Sequence, residues 1–121
     1  MIISREPIVP FGRPPLSKTY LRSEERLEDW YVRPAAWYEA HGVDRLTESS
    51  VVAIDVPAHR LALGSGQELE YQKLLVATGG RNRRLTVPGA GLPGIHYLRT
   101  AAECDAIKRE AAAGRTSPSA R

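Results

Sequence analysis

Residues 73–78, Lys-Leu-Leu-Val-Ala-Thr, form a nearly unbroken apolar run closed by Gly79-Gly80. A run with no polar face fits a strand covered on both sides, the kind found in parallel sheets. The glycine pair permits a sharp turn, or close approach of another group to the backbone. The carboxyl edge of such a strand is where open α/β sheets bind ligands. Taken alone, the segment reads better as a glycine turn leaving a strand, so its surroundings must decide.

Those surroundings are punctuated clearly. Val51–Val56, Arg60–Leu63 and Glu68–Tyr71 are short runs separated by Pro57-Ala58-His59 and Gly64-Ser65-Gly66, which predicts a three-stranded antiparallel β-meander. Met1–Ser4 reads as the end of an apolar strand, left through Arg5-Glu6-Pro7. Residues 7–18 hold Pro7, Pro10, Pro14 and Pro15, and are expected to be an ordered loop rather than a strand or helix. Ser23 is placed to cap a short helix through Glu24, Glu25, Leu27 and Trp30. A second helix is expected from Pro34 to Gly42. Thr100 and Glu103 stand in capping-box spacing, and Ala102, Ala106, Ile107, Glu110 and Ala111 continue a helix toward Gly114. Residues 114–121 read as a disordered tail.

Composition narrows the function classes. The chain has 121 residues, 42% hydrophobic and 26% charged, within the range of one ordinary globular domain. No apolar stretch approaches the roughly 20 residues of a membrane span, and the N-terminus lacks the pattern of a secretory signal. Cys104 is the one cysteine, which excludes an internal disulfide, a Cys-x-x-Cys redox pair and a multi-thiolate zinc site. A cytoplasmic location is therefore expected. Seventeen basic residues against fourteen acidic give a net charge of +3, with Arg81, Arg83 and Arg84 clustered in one segment. The aromatic residues Trp30, Tyr31, Trp37 and Tyr38 lie far from that cluster in sequence, so a solvated basic loop is expected and not a nucleic-acid face. His41, His59 and His96 are isolated, and no metal site is expected.

One literal Gly-x-Gly-x-x-Gly occurs at Gly89–Gly94. A dinucleotide site needs a strand before those glycines and a helix N-terminus after them. Pro88 and Pro93 disrupt both requirements, so the match reads as a surface loop. Two other segments are more specific. Residues 13–18, Arg-Pro-Pro-Leu-Ser-Lys, offer Arg13 and Lys18 on a stiff loop suited to an anionic ligand, although on spacing alone they read at least as well as a rigid connector with solvated charges. The other is the Leu-Leu-Val-Ala-Thr-Gly-Gly of 74–80.

The two motifs, with the meander between them and the later Leu-Pro-Gly-Ile-His-Tyr-Leu-Arg-Thr at 92–100, follow one order. That series resembles the N-terminal part of the FAD-dependent, NAD(P)H-linked ferredoxin reductase family of the putidaredoxin/rubredoxin reductase-like kind. The resemblance runs over about residues 1–113. It implies an α/β fold, namely a partial doubly wound FAD-binding (Rossmann-like) domain with the three-stranded antiparallel β-meander. It also implies electron transfer from NAD(P)H through FAD to a ferredoxin- or rubredoxin-like iron–sulfur protein. Neither nucleic acid nor membrane is implied as a partner, and oligomeric state is left open.

Carried over residue by residue, Glu6 matches an acid that holds the adenosine ribose of FAD, and Arg13 an FAD-contacting arginine. Lys18 matches the lysine beside the flavin, and takes the catalytic role of favouring the reduced anionic ring. Val51 matches a residue whose backbone meets the adenine, and Ala77, Thr78 and Gly79 match the strand end packed against the cofactor. The chain departs from the family pattern at Arg5, Gly12 and Asn82. The family's glycine-rich loop and its nicotinamide domain have no counterpart in these residues. The expectation is that this polypeptide alone binds FAD weakly or not at all. The alternative is a truncated non-catalytic remnant, or a small binding module of the same fold.

Overall fold

The structure, a computed structural model, describes residues 1–114; most of the expected tail, from residue 115 on, lies outside the described residues. The chain divides into two compact units. The first comprises Met1–Pro10 and Val32–Thr78. The second comprises Phe11–Tyr31 and the chain from Gly79 onward.

In the first unit, strand β1 (Ile2–Ile3) pairs in parallel with β2 (Arg45–Leu46). The connection between them includes helix α1 (Ala35–Ala40). Parallel neighbours need such a crossover, because a tight turn can only reverse the chain. Pro34 stands just before α1 as its N-cap and not at its first helical position. Gly42 leaves the helix at φ +62°, a left-handed conformation that costs glycine nothing. Tyr38 is buried, and Arg45 lies over its ring at 5.5 Å.

The meander forms as the alternation demands. Strands β3 (Val51–Asp55), β4 (Arg60–Leu63) and β5 (Glu68–Glu70) run antiparallel in the order β3-β4-β5. Leu61 and Leu63 of β4 point into the core, whereas β3 is exposed along its length. Arg60 reaches across to Glu68 at 3.3 Å and to Glu70 at 3.8 Å. Such exposed pairs add little stability but oppose register slips.

Residues 73–78 are not the buried strand that their apolarity predicts. The segment takes no regular secondary structure, and Leu75 is 86% and Val76 61% exposed. Apolar sequence alone cannot make an inner strand, which needs ladder partners on both sides; none of the described residues pairs here.

The second unit is built on helix α2 (Ala101–Ala112). Its predicted capping box is present: Glu103 N–H donates to Thr100 Oγ1 at 3.2 Å, and Thr100 N–H to Glu103 Oε2 at 3.0 Å. Ala101 and Cys104 are its buried residues. The proline-rich segment, expected as an ordered loop without helix, instead contains a 3-10 helix, Pro14–Ser17, with Pro15 and Leu16 buried. Proline is tolerated there because the first helical amides have no intrahelical acceptor. The helix expected from Ser23 shrinks to a 3-10 helix, Leu27–Trp30. Ser23 has φ +59°, whereas an N-cap needs extended backbone, so the start moves to Arg26, whose amide donates to Asp29 Oδ2 at 2.9 Å. Gly89–Gly94 lies in a loop with no strand before it and no helix directly after it.

Parallel β1–β2 joined through a helix, together with the antiparallel meander, make a partial Rossmann-like α/β fold.

Candidate functional site

Arg13 precedes the 3-10 helix Pro14–Ser17, in a chain position set by its neighbours. Phe11 bridges Tyr31 in antiparallel fashion, and Gly12 N–H donates to the Trp30 carbonyl at 2.9 Å. From there the Arg13 guanidinium lies over the Phe11 ring at 5.1 Å. Its Nη1 donates to the Arg99 carbonyl at 2.7 Å, joining residues 86 apart in sequence. Gly79 turns at φ +65°, and Arg99 Nη2 lies 2.5 Å from where a β-carbon on Gly79 would stand. The second unit thus gathers Arg13, Gly79 and Arg99 into one basic corner with a side-chain-free backbone at its edge. Glu103 Oε2 accepts the Arg99 amide at 2.7 Å, so the carboxylate that caps α2 also fixes the backbone of Arg99.

Lys18 closes the 3-10 helix. Its amide donates to the Pro15 carbonyl at 2.9 Å, and its carbonyl accepts the Arg22 amide at 3.0 Å. The side chain is exposed. On one side of it the Cys104 thiol donates to the Leu16 carbonyl at 3.1 Å. On the other, Tyr20 Oη donates to Asp105 Oδ1 at 2.7 Å, with the Lys108 ammonium 4.0 Å above the Tyr20 ring. Burial, reinforced by the bond to Asp105, pushes the Tyr20 phenol up to about 12, so it stays a donor across the neutral range. Burial likewise pushes the Cys104 thiol up, which makes it a packing group and not a nucleophile. Thr19 Oγ1 and Trp30 Nε1 both donate to Glu25 Oε2, the latter at 2.7 Å.

The other predicted residues belong to the first unit. Glu6 follows β1 half-buried, its amide donating to Ser4 Oγ at 3.1 Å. The Ser4 carbonyl accepts the Ser49 amide at 2.9 Å, which leads the chain into β3 and its first residue, Val51. Ala77 and Thr78 are exposed in the unpaired segment. The two units therefore share the predicted residues, with Glu6, Val51, Ala77 and Thr78 in one, and Arg13, Lys18 and Gly79 in the other.

Sequence reasoning assigned no role to Arg99, Tyr20 or Asp105. Arg99 carries a usable signal, since it directly precedes the capping Thr100 and so has a fixed backbone; Tyr20 and Asp105 carry none. Among the described residues, no three His, Cys, Asp or Glu side chains group as a metal site, and no helix is long and apolar enough to cross a membrane.

The residues fit an FAD-like ligand by their chemistry. In the second unit, Arg13 and Arg99, linked through the Arg99 carbonyl, and exposed Lys18 are cations of the kind that suits a diphosphate; in the first unit, Glu6 is an acceptor of the kind that suits a ribose diol.

Comparison with known proteins bears on the same question. The chain is 46% identical to rhodocoxin reductase of Rhodococcus erythropolis, across 88% of this chain and 25% of that protein. It is 36% identical to the rubredoxin-NAD(+) reductase of Pseudomonas putida, across 90% of this chain and 28% of that protein. Among solved structures, a ferredoxin reductase from Rhodopseudomonas palustris superposes with a TM-score of 0.81 at 38% identity, over 89% of this chain and 26% of that one. The reductase of a covalent putidaredoxin reductase–putidaredoxin complex superposes at 0.82 and 33% identity, over 89% and 27%. The chain spans about a quarter of the length of these relatives. Residues 1–116 match the family model described as pyridine nucleotide-disulphide oxidoreductase, and the chain belongs to that family.

Proposed function

We propose that residues 1–113 form part of the flavin-binding domain of an FAD-dependent oxidoreductase. It would pass electrons from NAD(P)H through the flavin to a ferredoxin- or rubredoxin-like iron–sulfur protein. The ferredoxin reductases of this family are FAD-dependent and take NAD(P)H as reductant. The observation that carries the reading is the basic corner in which Arg13 donates to the Arg99 carbonyl and the Arg99 guanidinium reaches Gly79.

Each residue then has a task that its chemistry supports. Arg13 and Arg99 hold the diphosphate, as a planar guanidinium pairs with phosphate oxygens through two parallel donors. Glu6 accepts from the ribose hydroxyls, and the backbone at Val51 meets the adenine. Ala77 and Thr78 are exposed and carry small side chains, so a flat ligand can approach the main chain there, while Gly79 leaves room for the Arg99 guanidinium. Lys18 holds a positive charge beside the ring and stabilises negative charge that develops there. When bound, FAD supplies the conversion of a two-electron hydride into single electrons. The one cysteine is compatible with a reducing compartment, and the reading places the protein in the cytoplasm.

A chimaera tests the reading. Residues 1–113 replace the aligned segment of Pseudomonas putida rubredoxin-NAD(+) reductase, and the purified product is examined for flavin absorbance and NADH-driven rubredoxin reduction. A folded chimaera with bound flavin and this activity is expected. A folded chimaera that purifies colourless and stays so with added FAD overturns the proposal.

A further inference from the structure

We propose that Tyr20 and Asp105 are positioning residues for Lys18, fastening the backbone that carries the lysine to helix α2. The inference rests on the reading of Lys18 as the flavin-side cation.

Lys18 is exposed, so little around its side chain restrains it. A flexible four-carbon stem can offer its charge at one place only if its own Cα is held. The structure holds that Cα from both sides with consecutive residues of one helical turn. Cys104, fully buried, donates its thiol to the carbonyl of Leu16, two residues before Lys18. Asp105 accepts the phenol of Tyr20, two residues after it, at 2.7 Å. Between these anchors, the local bonds Lys18 N–H to Pro15 and Arg22 N–H to Lys18 keep the turn compact. Thr19 is tied outward to Glu25 at the same level.

The two anchors differ in strength. A thiol is a weak donor, so the Cys104 bond mainly fills space. The Tyr20 bond ends on a carboxylate, and such charge-assisted bonds are about twice as strong as neutral ones. The Lys108 ammonium over the Tyr20 ring lies one helical turn after Cys104, adding a cation–π contact to the same anchor. Tyr20 and Asp105 therefore form the strong half of the clamp.

The test uses the full chain and three substitutions, Tyr20→Phe, Asp105→Leu and Asp105→Asn. Hydrogen exchange is read at the amides of Tyr20, Arg22, Ser23 and Glu24, all bonded in this turn. Acetylation of Lys18 is measured in competition with Lys73, which belongs to the first unit and serves as the internal standard. Loss of one charge-assisted bond is expected to speed exchange at these four amides about tenfold in Tyr20→Phe and Asp105→Leu. Lys18 acetylation should rise in both variants, with α2 amides as protected as before. Asp105→Asn keeps an acceptor for the phenol but loses its charge, and should bring exchange and labelling about halfway back to the parent values.

Unchanged exchange in Tyr20→Phe overturns the proposal. So does an equal rise across α2, which marks general loosening, or an Asp105→Asn chain that behaves like Asp105→Leu. The flavin reading fails separately, through a colourless chimaera, and leaves these exchange rates as they are.

Discussion

At Gly79, two constraints coincide on one residue. Its φ of +65° is left-handed, and the space where a side chain would begin is taken by the Arg99 guanidinium. Gly79→Ala should therefore cost about 1–2 kcal/mol for the backbone conformation alone. A displaced Arg99 adds to that cost. Denaturant unfolding of the variant checks the sum, and pairing it with Arg99→Ala should recover the steric part but not the backbone part. If the single variant unfolds at the parent midpoint, the corner is looser than described. The Ala-Thr-Gly-Gly motif identified the need for glycine here, but not the reason. The reason is an arginine twenty positions on, whose approach no local rule reports.

Among the elements, α2 has the most to do. Its capping box starts the helix, its first buried turn supplies Cys104 and Asp105 to the Lys18 segment, and Glu103 fixes the amide of Arg99. Thr100→Ala should destabilise the chain by about 1 kcal/mol, the usual cost of removing a cap. A fall of that size in unfolding free energy, with fraying of the first turn in amide exchange, is the expected result. No fall would mean that tertiary packing alone sets the start of the helix. This helix was legible in the sequence because its signals are local: a cap, a carboxylate three residues on, and a terminal glycine. The meander was legible for the same reason, through alternation and its proline and glycine turns. Residues 73–78 were misread because an inner strand is a property of its neighbours, and apolarity records only the wish for them. Ser23 was misread because a capping residue type says nothing of the backbone angle it adopts.

For the molecule as a whole, the motif order between residues 13 and 100 proved more informative than length or charge. A chain with the composition of one complete small domain aligns over nearly all its length with a quarter of larger reductases. The exposed apolar segment has a measurable cost at this scale. Leu75 and Val76 offer side chains and unpaired backbone to any passing strand. The double variant Leu75→Glu, Val76→Glu should lessen concentration-dependent self-association in sedimentation; equal association in parent and variant would show that other surfaces govern it. The second unit also imposes an order of assembly. Its bonds Arg13–Arg99, Tyr20–Asp105 and Leu16–Cys104 span 86, 85 and 88 positions. As the chain leaves the ribosome, residues 11–31 emerge long before α2 exists to receive them. The turn bearing Lys18 is thus made well before it is secured, and it waits unfastened while the 85 positions from Tyr20 to Asp105 are added.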